Sequence, residues 1–176
     1  MEPNSVPIRE FYKNFTPPHW VYATVVRIMN SVPDKHLCGL DCVVLTNQSA
    51  KARRDRLGKV TSRGRRHPQS RVLGRYHPAH RGNKPWIELY VDNVCAQIPK
   101  RYNWIPILRE TIIGKPLFHE IGHHIHRSKP EHREKEDVAD DWALKLGRNF
   151  VQKRYWYLRP IRKQVAWAAR LASRFF

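Results

Sequence analysis

The 176-residue sequence predicts an α+β fold in which a small, mostly antiparallel sheet packs against several helices. Two observations favour this class. Short runs rich in β-branched residues occur between residues 40 and 94, and longer stretches with helical spacing of apolar residues follow them. Domains commonly contain ~100–200 residues, so the length indicates one domain. We place this domain at residues 1–150 and expect a basic, aromatic C-terminal extension at residues 151–176.

The first predicted elements are a helix and a strand. We predict a helix at residues 18–31, bounded by prolines. Pro18 can occupy the first turn, where proline is tolerated, and Pro33 lies just past the end, where it stops the helix from continuing. Residues 40–46 form a β-branched run typical of a buried strand. The next stretch, residues 47–71, has no periodic apolar pattern and contains glycine and proline. We therefore expect a basic loop at residues 47–71.

Two further strands are predicted at residues 72–76 and 86–94, joined by a polar connection that contains glycine and proline. In the second strand, side chains alternate between two faces. Ile87, Leu89 and Val91 occupy one face, and the other carries a mixed set that includes Glu88 and Tyr90. The pattern predicts one buried face and one accessible face.

The C-terminal half is predicted to be helical. Residues 105–113 show helical spacing, and Pro116 either kinks that helix or starts a new one that continues over residues 117–126. Ser128 and Glu131 match a capping box, so another helix should begin there and run towards Phe150. From Ile161 onwards the apolar and basic residues separate into two stripes, as in an amphipathic helix.

Charge is distributed unevenly along the chain. The net charge is +18, yet seven of the fifteen acidic residues lie between positions 120 and 141, and five of the ten histidines lie between positions 119 and 132. Basic tracts flank this segment and indicate a polyanionic partner, either nucleic acid or an anionic membrane surface. The candidate polyanion contacts are Arg53, Arg54, Arg65, Arg66, Lys153 and Arg154.

Composition excludes several classes of protein. Hydrophobic residues make up 41% of the chain, too many for a wholly disordered protein, and no apolar run reaches the ~18 residues of a membrane-spanning helix. The first fifteen residues lack the apolar stretch of a secretory signal, and three cysteines are too few for a disulfide framework. We expect a cytoplasmic protein with buried thiols. Half a zinc site at Cys38 and Cys42 is the alternative use of those thiols.

The most specific motif is His119-Glu120-Ile121-Gly122-His123, an H-E-x-x-H sequence on a predicted helix. Histidines four residues apart lie on the same helix face, and both can reach one Zn²⁺. Glu120 then projects beside the metal, where it can take a proton from a zinc-activated water and pass it to a leaving amine.

A catalytic zinc site also needs a third protein ligand. Glu136 and Asp140 lie four residues apart on the next predicted helix. Glu136 can bind the metal, and Asp140 can accept the distal N–H of a histidine ligand. His132, one turn before Glu136, is the main alternative third ligand, and His126 is a weaker one.

The HEIGHH sequence and the downstream E-x-x-A-D-x-W-A resemble the gluzincin branch of zinc metallopeptidases, and are most similar to compact ImmA/IrrE-type peptidases. The resemblance covers residues 86–146. It implies a minimal zincin-like domain with His119, His123 and Glu136 as ligands and Glu120 as general base. It further implies that the strand carrying Glu88 and Tyr90 is the sheet edge that receives an extended substrate peptide.

The sequence thus predicts a metalloendopeptidase that holds one Zn²⁺ per chain and acts on a protein or peptide substrate. The alternative is a basic nucleic-acid-binding or peripheral membrane protein in which the zinc site is structural or inactive. A SprT-like protease with three histidine ligands would use His132 instead of Glu136.

Overall fold

The computed structural model describes residues 6–47, 59–62, 65–68, 72–126 and 132–158. The chain opens with one helix among short strands and closes with two long helices. In order, the elements are β1 (Ile8–Phe11), α1 (Trp20–Met29), β2 (Val43–Thr46), β3 (Lys59–Ser62), β4 (Arg65–Pro68), β5 (Gly74–His77), β6 (Trp86–Tyr90), α2 (Val91–Ala96), α3 (Pro106–Ile125) and α4 (His132–Arg154). Short 3-10 turns occupy residues 34–36, 100–102 and 156–158.

Four strands form the main sheet in the order β1-β2-β6-β5. The α+β class predicted from the sequence is confirmed. The expectation of a mostly antiparallel sheet is wrong. In this sheet, β2 pairs in parallel with both β1 and β6, and the pairing of β5 with β6 is the one antiparallel pairing. Helix α1 lies between β1 and β2 and returns the chain to the start of the sheet, which permits parallel pairing.

Residues 47–71 were expected to form a loop, and the described part of this segment is instead a hairpin. Strands β3 and β4 pair antiparallel, with Lys59 opposite Pro68 and Ser62 opposite Arg65. The hairpin has no alternating apolar pattern, so the sequence carried no strand signal there.

Strand β6 is shorter than the sequence indicated. It ends at Tyr90, and residues 91–96 form helix α2. Val91 and Val94 are both buried, a spacing of three that suits one face of a helix. The Asn93 side-chain amide donates to the carbonyl of Val72 at 2.8 Å, which ties the helix to the segment before β5.

The two long helices form an antiparallel pair that borders the sheet. Helix α3 is continuous through Pro116, so the proline neither ends it nor starts a new one. Pro116 is buried and is followed by the buried Leu117 and Phe118, and this packing offsets the missing backbone hydrogen bond. Phe118 contacts Phe150 of α4, with ring centroids 6.1 Å apart.

The core lies between the sheet and these helices. Val25 and Ile28 of α1 pack with Leu89 of β6 and with Leu117 and Ile121 of α3, and all five are fully buried. In the described part of the chain, no helix combines the length and apolar character needed to cross a membrane.

Candidate metal centre

Three ligand-type side chains converge where α3 faces the N-terminal half of α4. His119 and His123 lie one turn apart on α3, and their Nε2 atoms are 3.1 Å apart. Glu136 of α4 places one carboxylate oxygen 3.5 Å from His119 Nε2 and the other 3.6 Å from His123 Nε2. These three residues could hold a metal ion.

The spacing of these donor atoms fits a tetrahedral ion. With zinc–ligand bonds of ~2.0–2.1 Å, the donors of a tetrahedral site lie roughly 3.3–3.4 Å from one another. The distance of 3.1 Å between the two Nε2 atoms is close to that value, and each Nε2 lies 3.5–3.6 Å from a different oxygen of the Glu136 carboxylate. Two imidazoles and one carboxylate are also a donor set that catalytic zinc sites use. The three residues therefore suit a metal ion in donor type and spacing.

Asp140 lies one turn beyond Glu136 and binds the outer edge of His119. The His119 Nδ1–H donates to Asp140 Oδ1 at 2.9 Å. A proton on Nδ1 leaves the Nε2 lone pair free for a metal. The structure thus brings Asp140 to the place that the sequence predicted for it.

Glu120 is buried beside the ligands on the same helix, with 7% of its surface exposed. Burial raises the pKa of its carboxyl to about 8, and the nearby Glu136 carboxylate adds to the rise. A hydrogen bond from the Tyr76 backbone N–H and the charge of Arg75 act in the opposite direction. Strand β5 therefore contacts the predicted general base directly.

Gly74 of β5 makes this close approach possible. A Cβ at position 74 would lie 3.0 Å from Glu120 Cγ and 3.2 Å from Glu120 Oε1, closer than ordinary side-chain contacts. Sequence reasoning missed both Gly74 and Tyr76. The pairing of β5 beside α3 is a long-range contact, and no local motif signals it.

His124 is a third residue to which the motif analysis gave no role. It is buried on the side of α3 that faces β5, with 3% of its surface exposed. Its Nε2 is 3.1 Å from the Cys38 carbonyl, and its Nδ1 is 3.4 Å from the Tyr76 hydroxyl. His124 therefore joins the turn after α1 to the strand that contacts Glu120.

The predicted substrate strand is wrong in two respects. β6 is not a sheet edge, because it pairs with β2 on one side and β5 on the other. Glu88 and Tyr90 are not accessible either. Both are buried, and Glu88 Oε2 accepts a hydrogen bond from the Tyr90 hydroxyl at 3.0 Å and lies 3.1 Å from His77 Nε2. The edge next to the metal centre is β5.

The alternative ligands have different positions. His132 is the first residue of α4, and its side chain lies outside the described part of the structure. His126 follows the last residue of α3 and does not belong to the group that could hold a metal.

The predicted polyanion contacts are described only in part. Lys153 and Arg154 lie at the C-terminal end of α4, exposed, with Arg154 Nε 3.7 Å from Glu110 Oε2. Arg65 and Arg66 lie on β4, and their side chains are not described. Arg53 and Arg54 lie outside the described residues.

The three cysteines are free thiols. Cys38 is exposed, contrary to the expectation of buried thiols, whereas Cys42 is buried and Cys95 is half-buried. Burial raises the pKa of the Cys95 thiol to about 11, and the Asp92 carboxylate adds to this rise. Among the described residues, the group able to hold a metal contains none of the three.

An open groove of about 1330 Å³ passes the metal centre between α3 and α4. His119, Glu120 and Asp140 line the end nearest the metal centre, and Phe118 and Phe150 line it further along. The groove is large enough for molecules bigger than water to reach His119 and Glu120.

Comparisons with family models, curated proteins and solved structures found no match to this chain. The features of the chain that bear on its function are the group of His119, His123 and Glu136, which could hold a metal ion, and the buried Glu120 on the same helix as the two histidines.

Proposed function

We propose that the chain is a zinc-dependent metalloendopeptidase. The observation that supports this most strongly is the convergence of His119, His123 and Glu136 beside the buried Glu120. Three protein ligands with a carboxylate next to them are typical of catalytic zinc sites, whereas structural sites are closed by four protein ligands.

A zinc ion held by these three side chains would polarise the scissile carbonyl and lower the pKa of a water molecule to ~7. The residues of the chain then have separate tasks. The positive charge of a bound ion would favour the carboxylate form of Glu120 and bring its pKa back down. Glu120, held by the Tyr76 N–H, would then accept the proton of the attacking water and deliver it to the leaving nitrogen. Asp140 is a positioning residue, because it holds the His119 ring in the tautomer that leaves Nε2 free.

Strand β5 is the natural path for an extended substrate. The Tyr90 N–H donates to the Leu73 carbonyl at 2.9 Å, so the antiparallel alternation directs the backbone groups of Gly74 away from β6, together with the Tyr76 N–H that donates to Glu120. A peptide added to this edge would run directly past Glu120. This proposal keeps the strand-addition mode and moves it from β6 to β5.

The test compares wild-type protein with the Glu120→Gln variant, both loaded with zinc. Each is incubated with a complex peptide library, and new peptide termini are counted by mass spectrometry. Glu10→Gln is the matched control, since Glu10 is an exposed carboxylate on the far edge strand β1. We expect cleavage by wild type and Glu10→Gln, and a loss of ~100-fold or more in Glu120→Gln with zinc retained.

Equal cleavage by Glu120→Gln and wild type would refute the assigned mechanism. Zinc bound to all three proteins with no cleavage by any of them would instead favour the alternative, a zinc site that is structural or inactive.

A further inference from the structure

The antiparallel pairing of α3 and α4 separates two ends of the molecule. Gly122 near the end of α3 contacts Ala139 near the start of α4, at the metal centre. At the other end, the Tyr155 hydroxyl donates to Glu110 Oε2 at 2.6 Å, which holds the residues after α4 against the first turns of α3. The segments just before α3 and just after α4 therefore both belong to this second end of the helix pair, away from the metal centre.

This second end exposes large aromatic side chains. The exposed fractions are 75% for Trp104, 65% for Trp156, 54% for Tyr157 and 39% for Tyr102. Burying such rings would stabilise the fold, so several of them exposed at one end mark an interaction surface. We call these four residues, together with Arg101, Lys153 and Arg154, the aromatic-cationic end.

Positive charge accompanies these rings. Residues 100–110 and 148–158 contain six Lys/Arg and one acidic residue, Glu110. Glu110 is buried, with Arg27 Nε 3.0 Å from its Oε1 and Arg154 Nε 3.7 Å from its Oε2, so it offsets part of the charge of Arg154 and none of that of Arg101 or Lys153 in the ion pairs described. The Arg101 guanidinium lies 4.6 Å from the centre of the Tyr102 ring, which shows that a flat cationic group stacks on this surface.

We propose that the aromatic-cationic end binds single-stranded nucleic acid. Unpaired bases would stack on the Trp104 and Trp156 rings, and Arg101, Lys153 and Arg154 would contact phosphates. Exposed rings interleaved with cations are the combination that sequence-tolerant single-strand binding uses, because every base has a flat face and every phosphate a negative charge.

The type of exposed side chain favours this partner over an anionic membrane. Membrane-surface segments carry Leu or Phe beside Trp, because they must bury a continuous apolar face in the acyl region. At this end, the exposed large hydrophobic side chains that the structure describes are Trp and Tyr. Each of these has a polar atom, and none is aliphatic.

Nucleic acid at this end would leave the metal centre open. Glu110 and Glu120 are ten residues apart on one helix, a rise of ~15 Å. Binding there is therefore independent of the proposed peptidase chemistry, and it would hold the protein on a nucleic acid while the metal centre stays accessible.

The test measures the affinity of the full-length, zinc-loaded protein for a fluorescent 20-nucleotide oligo-dT and for a 20-base-pair duplex, by anisotropy at several salt concentrations. We expect each of Trp104→Ala and Trp156→Ala to weaken oligo-dT binding ~10-fold, with a much smaller effect on the duplex. Lys153→Ala should lower the salt dependence of binding. Glu120→Gln should bind as tightly as wild type.

Matched controls come from exposed residues elsewhere. Phe11 on β1 is 62% exposed, and Lys84 lies in the connection before β6. Phe11→Ala and Lys84→Ala should leave oligo-dT affinity within ~2-fold of wild type. Circular dichroism and zinc content verify that every variant is folded.

Two results would overturn the proposal. One is oligo-dT affinity in the Trp104→Ala/Trp156→Ala double variant equal to that of wild type. The other is loss of binding to phosphatidylglycerol-containing vesicles in the double variant with oligo-dT binding retained, which would identify a membrane-binding surface instead.

Discussion

Replacing Gly122 with alanine tests how the two helices of the metal centre depend on each other. A Cβ at position 122 would lie 2.8 Å from both the Cα and the carbonyl oxygen of Ala139. These are backbone atoms and cannot rotate away. Ordinary contacts begin at 3.4 Å, so α4 must move by the 0.6 Å between the two distances, and it carries Glu136 and Asp140 with it.

The size of the effect can be estimated against a control in the same interface. Gly147 of α4 faces Phe118, where an added Cβ would meet the ring at an ordinary 3.7 Å. Alanine in place of a helical glycine adds ~1 kcal/mol of helix propensity at either site. At Gly122, overpacking costs a further ~1–3 kcal/mol. The difference between the variants isolates the overpacking cost.

Urea denaturation and thermal melting measure this difference. We expect Gly147→Ala to match or exceed wild-type stability. For a chain this long, 1 kcal/mol shifts the melting temperature by ~2–4 °C, so Gly122→Ala should melt ~2–12 °C below Gly147→Ala. Ligand distances at metal sites tolerate only ~0.2 Å of displacement, so zinc affinity should also fall ~10-fold or more. If Gly122→Ala equals Gly147→Ala in both stability and zinc affinity, the close approach of α4 is not what places Glu136.

Three further predictions follow from other contacts. Asp140→Ala removes the acceptor for His119 Nδ1–H and should weaken zinc binding ~10–100-fold in a chelator competition; unchanged affinity would show that this contact does not orient the ring. Tyr155→Phe removes a buried hydrogen bond to the Glu110 carboxylate and should lower the free energy of unfolding, measured in urea, by ~1.5–3 kcal/mol. A smaller loss would mean that other partners satisfy the carboxylate. Of the three thiols, exposed Cys38 alone should react rapidly with Ellman's reagent at pH 8, since burial keeps the other two protonated; two fast thiols would contradict the burial.

The group of side chains that could hold a metal could be predicted from the sequence, because the spacing within each helix is local. His119 and His123 share a helix face by spacing alone, and Glu136 and Asp140 do the same on the next helix. The packing of α3 against α4, with Gly122 next to Ala139, brings the two pairs together.

The sheet was harder to predict because strand order depends on contacts between distant segments. Nothing local in β6 shows that β2 and β5 flank it, so the edge strand was misassigned. The spacing of apolar residues changes from two, at positions 87, 89 and 91, to three, between positions 91 and 94. This was not recognised from the sequence as a change from strand to helix at Val91. Pro116 was expected to interrupt α3, but burial among core residues outweighed the lost hydrogen bond.

The central claim is that His119, His123 and Glu136 hold one zinc ion. It is tested most directly by the zinc content of the purified Glu136→Ala and His132→Ala variants after dialysis, measured by mass spectrometry beside wild type. We predict one zinc per chain in wild type and in His132→Ala, and its loss in Glu136→Ala. Zinc retained in Glu136→Ala and lost in His132→Ala would contradict this ligand set and assign the third position to His132.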